Sequence, residues 1–283
     1  MISRQHYLRL LAGGLLLAGC AGASPDPEDV LHVAVAFYPL EYLAEQLAGA
    51  DAVVTNVTPP GVEPHDLDLA PADVAVLTEA DLVLYLHGFQ PALDAVAGGM
   101  NGVDLLEAGV ADPHVWVNPA QMRGLAQRVA AEISEADPQG ADEYAANAAA
   151  LAADLDALDR EYAAALSTCS VRTLVVSHAA FGHLAAAYGF EQLPISGVDP
   201  EDEPAPAELE AVTDAARAAG VTTVYTETLL NTDLASTVAA EIGAGVAVLD
   251  PLEGLDAEAI AAGADYASVM RENLRTLVAG QGC

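Results

Sequence analysis

The 283-residue chain is long enough to bury a sizeable core, and with 53% hydrophobic residues it does not have the composition of a disordered protein. Forty-two acidic residues stand against nine basic ones, all of them arginine, for a formal charge of -33. That balance argues against nucleic acid and anionic lipid surfaces as partners, and it suits a saline or alkaline habitat.

In residues 1–20, Arg4 and Arg9 precede an apolar run from Leu10 to Ala18 that ends at Gly19 and Cys20. This reads as an export signal, since the run falls short of the roughly 20 residues a spanning helix needs. Its last residues, LAGC, resemble the bacterial lipoprotein processing site, with Cys20 as the lipidated mature N-terminus and 21–30 as a flexible stalk. Cys169 and Cys283 are then an even pair in an oxidising compartment, and a disulfide between them is expected. Closing so long a loop is worth ~4 to 5 kcal/mol in the chain-entropy account.

VLHVAVAF (30–37) predicts a strand, and LEYLAEQLAG a helix stopping at glycine. AVVTNVT (52–58) predicts a second strand, ADVAVLTEA a short helix and DLVLYL (81–86) a buried strand; GVDLLEA comes after a glycine-rich stretch near 98–102. The pattern changes after DPHVWVNP (112–119), because 120–136 and 139–167 are alanine-rich and helical in period, parted at Asp137 and Pro138. The second stretch has no sustained heptad seam and reads as a rigid strut of roughly 40 Å.

From Val171 the alternation resumes with RTLVVS, then a helix over HAAFGHLAAAYG, then EQLPIS and the acidic loop GVDPEDEPAP. A helix over 206–219, VTTVYTE, a helix over 231–242, VAVLDP and a last helix ending near Gly280 complete the chain. Strands alternating with helices argue for parallel sheets. The expected fold is α/β, two parallel-sheet lobes (31–137 and 168–283) joined by one long rigid α-helix (139–167). No internal sequence repeat is visible.

In open parallel sheets, ligands gather beyond the carboxyl ends of the strands. Four potential metal ligands sit there: His65 after strand 52–58, His114 within DPHVW, His178 directly after RTLVVS, and Asp250 directly after VAVL. Two come from each lobe, so the cleft between lobes is where they would converge. Three imidazoles and a carboxylate suit a tetrahedral ion such as zinc, whereas calcium and magnesium prefer oxygen cages. Four protein ligands leave no open position for a reactive water, and no HExxH is present, so the set reads as holding a metal and the chain as no enzyme. Each residue also has a plainer reading. A loop histidine such as His65 is commonly just solvated, and Asp250, placed before Pro251, can serve as an N-terminal cap for the next segment. His183, five residues after His178, falls on another helical face. His87, after DLVLYL, is the reserve ligand, and His32 reads as structural.

Seven blocks occur in one order over nearly the whole chain after Cys20: AFYPLEYLAEQLAG, PPGVEPHDLDLAP, DPHVWVNP, SHAAFGHLAAAYGF, GVDPEDEPAP, VLDPLEG and YASVMRENLRTL. Together they resemble the solute-binding proteins of zinc and manganese ABC importers (cluster A-I, or cluster 9). The resemblance implies metal ligation by His65, His114, His178 and Asp250, each in its matching motif. It favours Zn2+, because manganese members carry glutamate at the position of His178, in keeping with the preference of Mn2+ for oxygen. The His-rich acidic loop of many zinc members is missing between Gly88 and Asp112.

The implied function is an extracytoplasmic, high-affinity zinc-binding component, monomeric and lipid-anchored through Cys20 at the outer face of the cell membrane. It would pass its ion to an ABC permease with a cytoplasmic ATPase. The alternatives are manganese or iron transport in the same class, or a surface adhesin or metal buffer. The long helix is expected to keep lobe closure small, with motion in the C-terminal loops. Glu63, Asp112 and Glu227 are expected to orient the imidazoles, and affinity to fall below about pH 6.

Overall fold

The first half of the chain alternates short strands with helices: β1 (Leu31–Val35), α1 (Tyr38–Ala48), β2 (Ala52–Asn56), α2 (Pro71–Glu79), β3 (Leu82–Tyr85), α3 (Pro91–Ala97) and β4 (Gly102–Asp104), with β1 and β3 the buried ones. These come from a computed structural model that describes residues 30–283. The export signal, its lipidation residue Cys20 and the 21–30 stalk except Val30 lie outside the described residues. Four helices open on proline, α2 at Pro71, α3 at Pro91 and two later ones at Pro119 and Pro206. Proline's fixed φ and missing N–H cost nothing in a first helical turn, where the N–H has no partner in the helix. The strands are all parallel, in the order β2-β1-β3-β4. Helix α3, of seven residues, is not among the expected elements.

Helices α4 (Pro119–Ala136) and α5 (Ala141–Leu166) form an α-hairpin, tied by Arg123 Nη1 to Asp156 Oδ1 at 2.8 Å. Helix α5 is the expected strut, one residue shorter at its end than 139–167 and two at its start, where Gln139 N–H is taken by Asp137 Oδ1 in the turn. It buries Tyr144, Leu151, Leu155, Leu158, Tyr162 and Leu166, spaced to form one stripe. Near its start Asn147 Nδ2 donates to Leu47 O of α1, and near its end Tyr162 OH donates to Met270 O of the last helix, Tyr266–Gly280. The strut is thereby bonded to a helix of each lobe.

The second half contains β5 (Thr173–Val176), α6 (Gly182–Tyr188), β6 (Glu191–Pro194), α7 (Pro206–Ala218), β7 (Thr223–Thr226), α8 (Asp233–Ile242), β8 (Gly245–Val248), α9 (Ala257–Ala261) and α10 (Tyr266–Gly280). Its parallel order is β6-β5-β7-β8, the arrangement of the first sheet repeated without a visible sequence repeat. Helix α6 starts four residues later than the pattern in HAAFGHLAAAYG suggests. Ala179 N–H bonds to Gly197 O and Ala180 N–H to His178 O, so 178–181 is spent on a turn. Cys169 and Cys283 are joined, holding the end of α10 beside the start of this half.

A single hydrophobic core runs from Leu31 to Leu277 through both halves, with a smaller cluster under α7 and α8. Two buried bonds cross between the halves: Trp116 Nε1 donates to Pro251 O, and Tyr266 OH donates to Trp116 O, each at 2.7 Å. Among the described residues, no helix is long and apolar enough to cross a membrane.

Candidate metal centre

The loops after β2, β4, β5 and β8 meet between the two sheets, and each delivers one side chain: His65, His114, His178 and Glu253. All four are buried, at 8%, 0%, 0% and 1% exposure, although they are polar. Their donor atoms lie within 4.8 Å of one another. Glu253 Oε1 is 3.1 Å from His178 Nε2, 3.2 Å from His114 Nε2 and 3.7 Å from His65 Nε2. A tetrahedral zinc with arms of about 2.0–2.1 Å sets its ligand atoms about 3.3 Å apart, so the spacing fits one such ion. The buried Nε2 atoms of His65 and His114 have no hydrogen-bond partner, which is costly unless something else satisfies them.

Each lobe shapes its ligands differently. On the first lobe, Phe89 packs edge-on against His65, with centroids 4.4 Å apart, and Trp116 lies 5.2 Å from His114. Asp112 Oδ1 meets His114 Nδ1 at 2.7 Å and accepts its backbone N–H at 3.0 Å, turning Nε2 inward. Burial works to raise the Asp112 pKa, yet these bonds and the nearby His183 hold it below the ordinary range. Glu63 accepts the His65 backbone N–H and does not touch its ring. Burial, reinforced by the neighbouring Glu253, pushes the Glu63 carboxyl up to about 8.

On the second lobe, His178 Nδ1 sits 2.7 Å from Glu227 Oε2, an ion-pair contact whose angle departs from that of a linear hydrogen bond. Glu227 Oε1 accepts the His178 backbone N–H at 3.2 Å. Burial works to lower the His178 pKa, but Glu227 and Glu253 outweigh it and raise it to about 10. For Glu253, burial pushes upward while the three imidazoles pull its carboxyl well below the usual value. Glu253 is therefore an anion shared by three rings.

The structure brings His65, His114 and His178 together and gives the fourth position to Glu253 rather than Asp250. Asp250 is occupied elsewhere. Its Oδ1 accepts from Leu252 N–H at 2.8 Å, and its backbone is held from both sides by the Asn273 amide. Leu252 turns into the left-handed region at φ 59°, and the chain that leaves this turn carries Glu253 into the cleft. The rule that ligands lie just past strand ends picks the first acid after β8 and so misses one three residues later. Gly254 gives no signal of it, since a Cβ there would make only ordinary contacts, 3.5 Å from Leu229 and 3.7 Å from the Val62 carbonyl. His87 stays at the surface beside Asp94, and His32 is exposed on β1. His183 lies outside the four and bonds to Asp112 instead.

A family model described as zinc-uptake complex component A, periplasmic (ZnuA), matches residues 33–280. The high-affinity zinc uptake system protein ZnuA of Bacillus subtilis is 31% identical over 296 residues, covering 93% of each chain. The structure of the laminin-binding protein Lmb of Streptococcus agalactiae, described as bifunctional with adhesin and metal-transporting activity, superposes with a TM-score of 0.82 at 28% identity, covering 89% of this chain and 99% of that one. The Zn(II)-bound ZnuA-like domain of Streptococcus pneumoniae AdcA superposes with a TM-score of 0.76 at 32% identity, covering 90% and 100%. Against the zinc-binding lipoprotein AdcA of that species, 31% identical, the chain spans 58% of the relative's length.

Proposed function

The chain belongs to the family of periplasmic zinc-uptake complex component A, and from that premise we propose that its His65, His114, His178 and Glu253 take up Zn2+ as cargo for an ABC importer. One observation carries this reading: three imidazole nitrogens from both lobes converge at 3.1 to 3.7 Å on one buried carboxylate oxygen. Three nitrogens gathered around one carboxylate oxygen suit zinc better than the harder Mn2+. A full set of protein ligands also holds the ion without offering it a reactive water, which fits a carrier.

Capture proceeds outside the cytoplasm. The ion replaces the contacts between Glu253 and the three rings, and the negative charges of Glu253 and Glu227 compensate its own. The bonds of Trp116 to Pro251 and Tyr266, together with strut α5, keep the lobes in register, so release to the permease and its ATPase proceeds by loop movement more than by lobe rotation. Anchoring through a lipidated Cys20 and a monomeric state complete the reading. Together they place the centre at the membrane's outer face, within reach of the permease.

The test is metal content by mass spectrometry after loading with mixed Zn2+ and Mn2+, on the parent protein and on His178→Ala. One equivalent of zinc in the parent and strong weakening in the variant are expected. Manganese retained in preference to zinc would overturn the assignment of the ion.

A further inference from the structure

We propose that His183, seated beside Gly182 at the start of α6, is a positioning residue for the zinc centre, one that fixes His114 from the opposite lobe. The inference rests on the zinc reading above and names a residue that touches no metal ligand directly. His183 donates from Nε2 to the Asp112 backbone carbonyl at 2.9 Å, and the same nitrogen lies 3.7 Å from Asp112 Oδ2. Its own backbone carbonyl accepts from Asn118 Nδ2 at 3.4 Å. The ring and the main chain of one C-terminal residue thus hold both ends of segment 112–118, which carries His114 and Trp116.

Gly182 makes the approach possible. A Cβ at this position would lie 2.9 Å from Asp112 Oδ2, closer than carbon and oxygen tolerate, so the carboxylate rests where a side chain would be. With Oδ2 placed against Gly182 and His183, Oδ1 is left to meet the His114 Nδ1 and backbone N–H.

The segment that does the holding also begins with a ligand. Between His178 and His183 the chain is pinned within its own lobe, Ala179 N–H to Gly197 O and Phe181 N–H to the Gln192 side chain. His183 therefore ties a rigid piece bearing His178 to a piece bearing His114, and sets the separation of two ligands that come from different lobes. Outer groups that orient a ligating imidazole govern affinity by about 10- to 100-fold when lost.

The experiment compares the parent with His183→Ala, His183→Gln and Gly182→Ala. Zn2+ affinity is measured by competition with a chromophoric chelator, and the ligand-field bands of the Co2+-loaded proteins are recorded. His183→Ala and Gly182→Ala are expected to weaken Zn2+ about tenfold or more and to shift the Co2+ bands, with the metal-free circular dichroism unchanged. His183→Gln keeps a donor for the Asp112 carbonyl and is expected to restore most of the loss. Parental affinity and bands in both His183→Ala and Gly182→Ala would overturn the proposal, as would a glutamine variant no better than alanine. A parent that takes up no Zn2+ would instead sink the zinc reading itself.

Discussion

In the N-terminal sheet, the crevice between β1 and β3 where strand order reverses is filled by Phe37 and Phe89, with ring centroids 4.3 Å apart and Trp116 closing over both. The corresponding crevice between β5 and β7 holds His178 and Glu227. Two sheets of the same order thus divide the labour. The first supplies a dry aromatic wall against which His65 and His114 are packed, and its own ligands come after the edge strands β2 and β4. The second supplies buried negative charge, from Glu227 at the position where parallel sheets generally bind ligands and from Glu253 after the edge strand β8. The first side gives mainly shape, with Asp112 as its charge behind His114, and the second gives mainly charge; a cation needs both.

Removing charge from the second lobe should therefore do the most damage. Glu253→Gln is expected to lower Zn2+ affinity more than 100-fold, beyond the range of outer-contact losses, because the single oxygen facing three rings loses its charge. Chelator competition measures it, and a loss below tenfold would show that the centre is not organised around Glu253. Glu227→Gln should cost about 10- to 100-fold, since it leaves His178 without the partner that aims its ring.

The same charge predicts a pH dependence. Glu227 and Glu253 hold the His178 pKa at about 10 against the opposing effect of burial, so the metal-free imidazole is protonated at pH 7. Zinc must displace that proton. The metal-free form binds more protons than the loaded one, so affinity rises with pH, by up to about tenfold per unit for each proton displaced. Calorimetry in buffers of different ionisation enthalpy should detect proton release near pH 7.5, and heats independent of the buffer would contradict it.

The aromatic side should respond in stability before affinity. Phe89→Leu nearly conserves volume but gives up ring contacts with Phe37, Trp116 and His65. A cost of ~1 kcal/mol in urea unfolding of the metal-free protein is expected, with Zn2+ affinity changed less than about tenfold. A larger loss of affinity than in Glu227→Gln would reverse the division of labour between the lobes.

Much of this arrangement is legible in the amino-acid order. Strands such as LVLY and TLVV are short β-branched and apolar runs, too short for helices and suited to a covered parallel sheet, and His65, His114 and His178 stand where such sheets present their loops. Helices α3 and α9 were missed because seven and five residues are too short for periodicity to register. The helical pattern of HAAFGHLAAAYG runs on past the true start of α6, because the N–H groups of Ala179, Ala180 and Phe181 go to Gly197 O, His178 O and the Gln192 side chain. Glu253 was hidden for a related reason: its direction depends on a left-handed leucine, and nothing in PLEG announces that conformation.

The sharpest test of that turn belongs to Asp250, where one of two variants has the smallest effect expected. A leucine held at φ 59° costs about 1–3 kcal/mol, and the bond from Leu252 N–H to Asp250 Oδ1 offsets part of it. Asparagine keeps an acceptor at that place, so Asp250→Asn should change Zn2+ affinity by no more than about threefold, less than a disturbed outer contact costs. Alanine removes the acceptor and frees the turn, so Asp250→Ala should lose about tenfold as Glu253 loses its aim. The gap between the two variants is the signature of a residue that bends the chain. Equal and large losses in both would mean that the Asp250 carboxylate meets the ion itself, and the fourth position would pass back to it from Glu253.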